Sequence, residues 1–151
     1  MSGKFRLGIV LRLREMTEEA ARIELGHAVN NHQSAVAAVE AAEGRAGEEL
    51  RWLANLQTST SEAGQLQSAV LAVAAAQRGI VAAHEKLGRA TDALFEARHV
   101  LADAVRQREV VERLRDRFQA GERRDREHHD TLTMAEIGST QYAIRVARQR
   151  Q

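Results

Sequence analysis

Residues 66–104 read LQSAVLAVAAAQRGIVAAHEKLGRATDALFEARHVLADA, and the spacing inside this stretch decides the fold. Leu66, Val73, Ile80, Leu87, Leu94 and Leu101 recur every seven residues. Ala69, Ala76, Ala83, Ala90, Ala97 and Ala104 interleave with the same period, so the row alternates steps of three and four. Apolar positions sustained at that spacing put one stripe on a helix and call for a partner helix along it. Alanine at every second position lets that partner come close. The pattern continues through Val111, Leu114 and Phe118, with a phase adjustment expected near Arg108.

The first half of the chain supplies the partner. Ile9, Leu13, Met16, Ala20 and Ile23 follow steps of four and three, and Val29, His32, Val36, Val39, Ala46, Leu50 and Leu53 give a second, shifted row. This reading places a drift of the seam near Leu25. Gly26, Gly44 and Gly47 weaken the helix locally, each by about 1 kcal/mol against alanine. Between the halves, residues 57–64 (QTSTSEAG) form the densest run of small polar residues, and they are read as the turn. Ser59 with Glu62 has the spacing of a capping box. One uninterrupted helix is the alternative, but it would need a second chain along its whole length.

The sequence therefore predicts an all-α protein, a long two-helix antiparallel coiled-coil hairpin. Its first helix covers about 5–57, the turn about 58–64, the second helix about 65–137, and a frayed tail reaches 151. Gly138-Ser139-Thr140 is read as the helix stop. Composition agrees. The chain has 151 residues and no proline, the residue that breaks helices and populates turns. Aromatic residues make up 3%, namely Phe5, Trp52, Phe95, Phe118 and Tyr142, too few to fill a thick globular core.

Several chemistries find no support. Without cysteine there is neither a disulfide nor a zinc–thiolate site, and a cytoplasmic location is expected. The apolar run 69–76 is well short of the ~20 residues that span a bilayer, so no membrane segment is expected. His128 and His129 point about 100° apart on a helix, so they do not converge on one ion. His84 and Thr91 flank the second seam and read as packing residues. No phosphate-cradling glycine loop, nucleophile–base pair or cofactor motif occurs, and a two-helix rod has no enclosed cavity in which to tune a catalytic group. No enzyme activity, cofactor, metal or small-molecule substrate is expected.

The opening of the chain is too apolar for a single seam. Measured from Phe5 at about 100° per residue, Ile9 falls near 40°, Leu13 near 80°, Val10 near 140°, Leu7 near 200° and Leu11 near 240°. A pairwise seam needs only about a 100° stripe. The surplus is covered either by a partner protein or by the tail folding back with Leu132, Met134, Ile137, Tyr142, Ile144 and Val146. Basic residues gather at both ends of the chain: Lys4, Arg6, Arg12 and Arg14, then Arg145, Arg148 and Arg150. A hairpin brings them to one basic, apolar tip.

Two short signatures add a resemblance. Phe5-Arg6-Leu7, Val10-Leu11, Arg14-Glu15, Glu18, Ala21 and Leu25 at the start, with Leu114 to Phe118, Arg123-Arg124, Glu127 and Met134-Ala135-Glu136-Ile137 toward the end, resemble the FliJ family of flagellar type III export proteins. His128 to Thr131 and the tail after Ile137 depart from its pattern. The resemblance implies a coiled coil similar to the γ stalk of rotary ATPases. Such a stalk sits in the pore of the hexameric flagellar export ATPase and contacts the cytoplasmic domain of the export gate, peripheral to the inner face of the membrane. Some members also handle export chaperones. Carried over, Phe5, Leu7, Leu11, Arg14, Glu15, Glu18, Arg124, Glu127 and Glu136 would meet the ATPase. Leu50, Leu53, Leu66, Val70, Val73 and Gln77 would meet the gate. Two other readings remain: a generic coiled-coil structural or interaction protein, and a basic coiled-coil arm that binds nucleic acid. Near-neutral net charge (+1) and sparse aromatics speak against the second.

Overall fold

The computed structural model describes residues 2–59 and 62–149, with side chains throughout except at 2–6, 147 and 149. Two helices account for nearly all of it: α1, Ser2–Thr58, and α2, Ala63–Gln149. No strand occurs among the described residues. The helices pack against each other as an antiparallel hairpin and divide into two compact units. One holds residues 16–105, the other 1–15 with 106–151.

In the unit of residues 16–105, the covered side chains of α1 keep unbroken steps of three and four: Glu18, Ala21, Leu25, Ala28, His32, Ala35, Val39, Ala42, Ala46, Glu49, Leu53 and Leu56. This corrects the sequence reading. Met16 and Ile23, placed in the seam because they are large and apolar, are 65% and 53% exposed. Alanines hold the seam instead, and no drift occurs at Leu25. On α2 the covered row is the expected one, Leu66, Ala69, Val73 and onward to Leu101 and Ala104. Ala35 and Ala69 are both 0% exposed. A seam of methyl groups closes only when the backbones approach, and this selects small side chains over Ile or Met at these positions.

In the other unit, half-buried Leu7, buried Leu11 and half-buried Arg14 face α2. The Arg14 guanidinium donates to the Gln107 side-chain oxygen at 2.6 Å. Arg108, Val111 and Arg115 take the covered positions on α2, so the heptad passes Arg108 without the expected phase adjustment, and Leu114 and Phe118 lie exposed. Long arginine stems cover apolar surface while their heads reach water, which lets a charged residue hold a seam position.

Between the helices, Ser59 does not begin α2. Its hydroxyl donates to the Leu56 carbonyl at 3.3 Å, at the end of α1. The Glu62 carbonyl accepts from the Gln65 and Leu66 amides at 3.0 and 3.3 Å, so Glu62 stands at the start of α2. Thr60 and Ser61 of the expected turn lie outside the described residues. At the far end α2 runs through Gly138-Ser139-Thr140 to Gln149. The Ser139 and Thr140 hydroxyls donate to the Glu136 carbonyl at 3.0 and 2.8 Å, compatible with a continuing helix. By length and composition α2 is also apolar enough to cross a membrane, contrary to what the run 69–76 suggested. Only 11% of its most apolar stretch is buried against the rest of the chain.

Candidate protein-binding surfaces

With Arg14 opposite Gln107, antiparallel counting places Ser2 beside roughly residue 119. Beyond that level α2 continues for some thirty residues, or about 45 Å at ~1.5 Å each. All side chains from Arg123 to Arg145 are exposed. Leu132, Met134, Ile137, Tyr142 and Ile144 are among them, so the tail does not fold back over the start of α1. Ile9, Val10 and Leu13 are left open to solvent, so apolar surface is exposed at this end, two of its residues, Ile9 and Leu13, being ones the seam reading had counted as covered.

The residues assigned to the ATPase by resemblance divide. Glu15, Arg124, Glu127 and Glu136 are exposed and available to a partner. Leu11 and half-buried Leu7 face α2, and Arg14 holds Gln107. Glu18, 3% exposed, belongs to the unit of residues 16–105 and ion-pairs with Arg22, which also reaches Glu19. Leu11 and Glu18 therefore serve the hairpin itself. Phe5, Lys4, Arg6 and Arg150 fall outside the described side chains. Of the terminal basic residues that are described, Arg12, Arg145 and Arg148 are exposed.

The gate-directed residues all lie in the unit of residues 16–105. Leu53, Leu66 and Val73 are half-buried in the seam, while Leu50, Val70 and Gln77 face outward. Trp52, Leu71 and Val81 are exposed apolar neighbours that the sequence did not single out. Large apolar side chains off the heptad were the available signal. Farther along, Ala20, Ala21, Ala28, Ala93, Ala97 and Val100 floor an open groove of about 560 Å³ between the helices, rimmed by Glu24, His27 and Glu96. Alanine leaves a trough wherever its row reaches the surface, wide enough for side chains of another helix.

Three ion pairs run along α2: Arg108 with Glu112 at 2.7 Å, Arg113 with Glu109 at 3.4 Å, and Arg126 with Glu122 at 3.7 Å. Exposed pairs at this spacing contribute only about 0.3–0.5 kcal/mol each. Across the helices, His84 Nε2 lies 3.5 Å from the Glu43 carboxylate; within α2 the Thr91 hydroxyl donates to the Leu87 carbonyl at 2.8 Å. No group of three or more His, Asp or Glu side chains converges on a metal-sized site among the described residues. Such surfaces are suited to bind other proteins through exposed apolar rows bordered by charge.

A family model described as "Flagellar FliJ protein" matches residues 3–147. No curated protein and no solved structure matches the chain.

Proposed function

We propose that this chain, which belongs to the FliJ family of flagellar proteins, acts as a non-catalytic stalk joining the hexameric export ATPase to the membrane export gate. The match over nearly the whole of a two-helix hairpin carries this reading. The end with Ile9, Val10, Leu13, Glu15 and the α2 segment containing Arg124, Glu127 and Glu136 contacts the ATPase ring. The surface with Leu50, Val70 and Gln77 contacts the cytoplasmic domain of the gate, and export chaperones are a further partner class. The stalk works at the cytoplasmic face of the export apparatus.

The mechanism is mechanical and allosteric. A single hairpin inside a six-fold ring meets each ATPase subunit differently, because its own surface has no six-fold symmetry. Subunit states that the stalk contacts more favourably gain population, and ATP turnover becomes coupled to whatever the other end holds. Without differential contact no coupling exists.

Binding of the purified export ATPase to the immobilised chain tests this reading. Changing Arg124, Glu127 and Glu136 together to alanine removes three exposed side chains and leaves the seam intact, so helicity is retained while ATPase binding falls. Leu50→Asp with Val70→Asp weakens binding of the gate domain and spares the ATPase. Full binding of both partners by both variants would rule out the assigned surfaces.

A further inference from the structure

One row on the exposed part of α2 is unused by the hairpin and has a charge order of its own. Glu127, Asp130, Met134, Ile137, Gln141, Ile144 and Arg148 follow steps of three and four, the spacing of a coiled-coil seam. At 100° per residue they fall within about a 100° sector, with Arg145 at its border. Met134 is 71% exposed, and Ile137 and Ile144 about half. The row is acidic at its start, apolar in the middle and basic at its end.

Glu127, Asp130, Arg145 and Arg148 have no ion-pair partner among the described residues, whereas Arg126 just before them pairs with Glu122. Gln141, Ile144, Arg145 and Arg148 also line a shallow recess of about 350 Å³, the two arginines standing beside Ile144.

We propose that residues 127–148 of α2 pair antiparallel with the same segment of a second copy of this chain. Charge complementarity selects that occupant and that direction. Centred between Ile137 and Gly138, antiparallel pairing sets Glu127 against Arg148, Asp130 against Arg145 and Met134 against Gln141, with the two Ile137 side chains meeting near the axis. Each match occurs twice by symmetry. A parallel pair would instead oppose acid to acid and arginine to arginine, which is unfavourable. Three heptads with few large apolar groups make a weak, salt-sensitive dimer. The inference is separate from the stalk reading, although a paired copy could not offer Glu127 to another protein.

Sedimentation equilibrium of the full chain without any other protein tests it. Wild type self-associates at low salt and dissociates as salt is raised. A variant with Glu127→Arg and Asp130→Arg, and another with Arg145→Glu and Arg148→Glu, each lose about tenfold or more in self-affinity, since several exposed charge pairs are reversed at once. Mixed together, they recover a heterodimer, because one is basic at both ends and the other acidic.

Direction is read by oxidation, as the chain has no cysteine. Met134→Cys and Gln141→Cys chains cross-link when mixed and far less when alone. A monomer at all concentrations, a homodimer indifferent to both charge reversals, or efficient cross-linking of Met134→Cys to itself would overturn the proposal. Circular dichroism of each variant separates lost pairing from lost helix. The two single-cysteine chains alter no charge, so they keep the test decisive if a charge variant misfolds.

Discussion

Replacing Ala35 by leucine puts the close-packed seam to a quantitative test. Ala35 is 0% exposed, in a row that continues through Ala28, Ala42 and Ala46. If the helices could separate to admit the larger side chain, the added burial would stabilise the protein, by about 0.8 kcal/mol for each extra carbon. The neighbouring alanines oppose that separation. Opening the seam at one point draws several methyl groups out of contact, and keeping it closed forces the leucine off its preferred rotamer. Overpacking of this kind costs about 1–3 kcal/mol. At roughly 2–4 °C per kcal/mol for a chain of this length, the melting temperature falls by about 2–12 °C.

Ala37→Leu is the matched control, with the same substitution two residues on, at an exposed position of the same helix. It should change stability by no more than about 0.5 kcal/mol. Thermal unfolding followed by circular dichroism at the helix band reads both. A higher melting temperature for Ala35→Leu, or equal losses for the two variants, would refute the closed alanine seam.

Leu94, buried on α2, and Phe95, 71% exposed beside it, separate seam from surface on the other helix. Denaturant unfolding should show Leu94→Ala losing about 2–5 kcal/mol and Phe95→Ala within about 0.5 kcal/mol of wild type. Gly26 and Gly44 lie exposed inside α1, and a Cβ built at either meets no atom within 4 Å. Gly26→Ala with Gly44→Ala should therefore stabilise by roughly 0.5–1 kcal/mol per site. An unchanged melting temperature would mean that α1 is not helical there.

The second seam was legible because its large residues and its alanines keep one period from Leu66 to Ala104, so geometry and hydrophobicity point to the same face. The first was misread for a physical reason. Its covered positions hold Arg14, Glu18, Ala21, Ala28 and Ala35, whereas Ile9, Leu13, Met16 and Ile23 follow the same three-and-four spacing on another face. Hydrophobicity favoured the exposed row, and only the partner helix reveals which row is covered.

The end of α2 was misplaced because Gly138-Ser139-Thr140 looks like a stop, yet serine and threonine hydroxyls can bond back to a carbonyl of the preceding turn and stay helical. Of the candidate site, Glu15, Arg124, Glu127 and Glu136 lie on the surface. Leu11 and Glu18 could not be told from surface, since burial of a leucine or a carboxylate in a two-helix seam depends on register, which spacing leaves open.

The stalk reading is tested most directly by the rate of ATP hydrolysis of the purified hexameric export ATPase from the same organism. The rate is measured alone, with this chain, and with the variant carrying alanine at positions 124, 127 and 136. Stimulation by the wild-type chain, lost or sharply reduced in the variant despite unchanged helicity, is the predicted result. An ATPase that assembles its ring yet turns over at the same rate with and without the chain would contradict it.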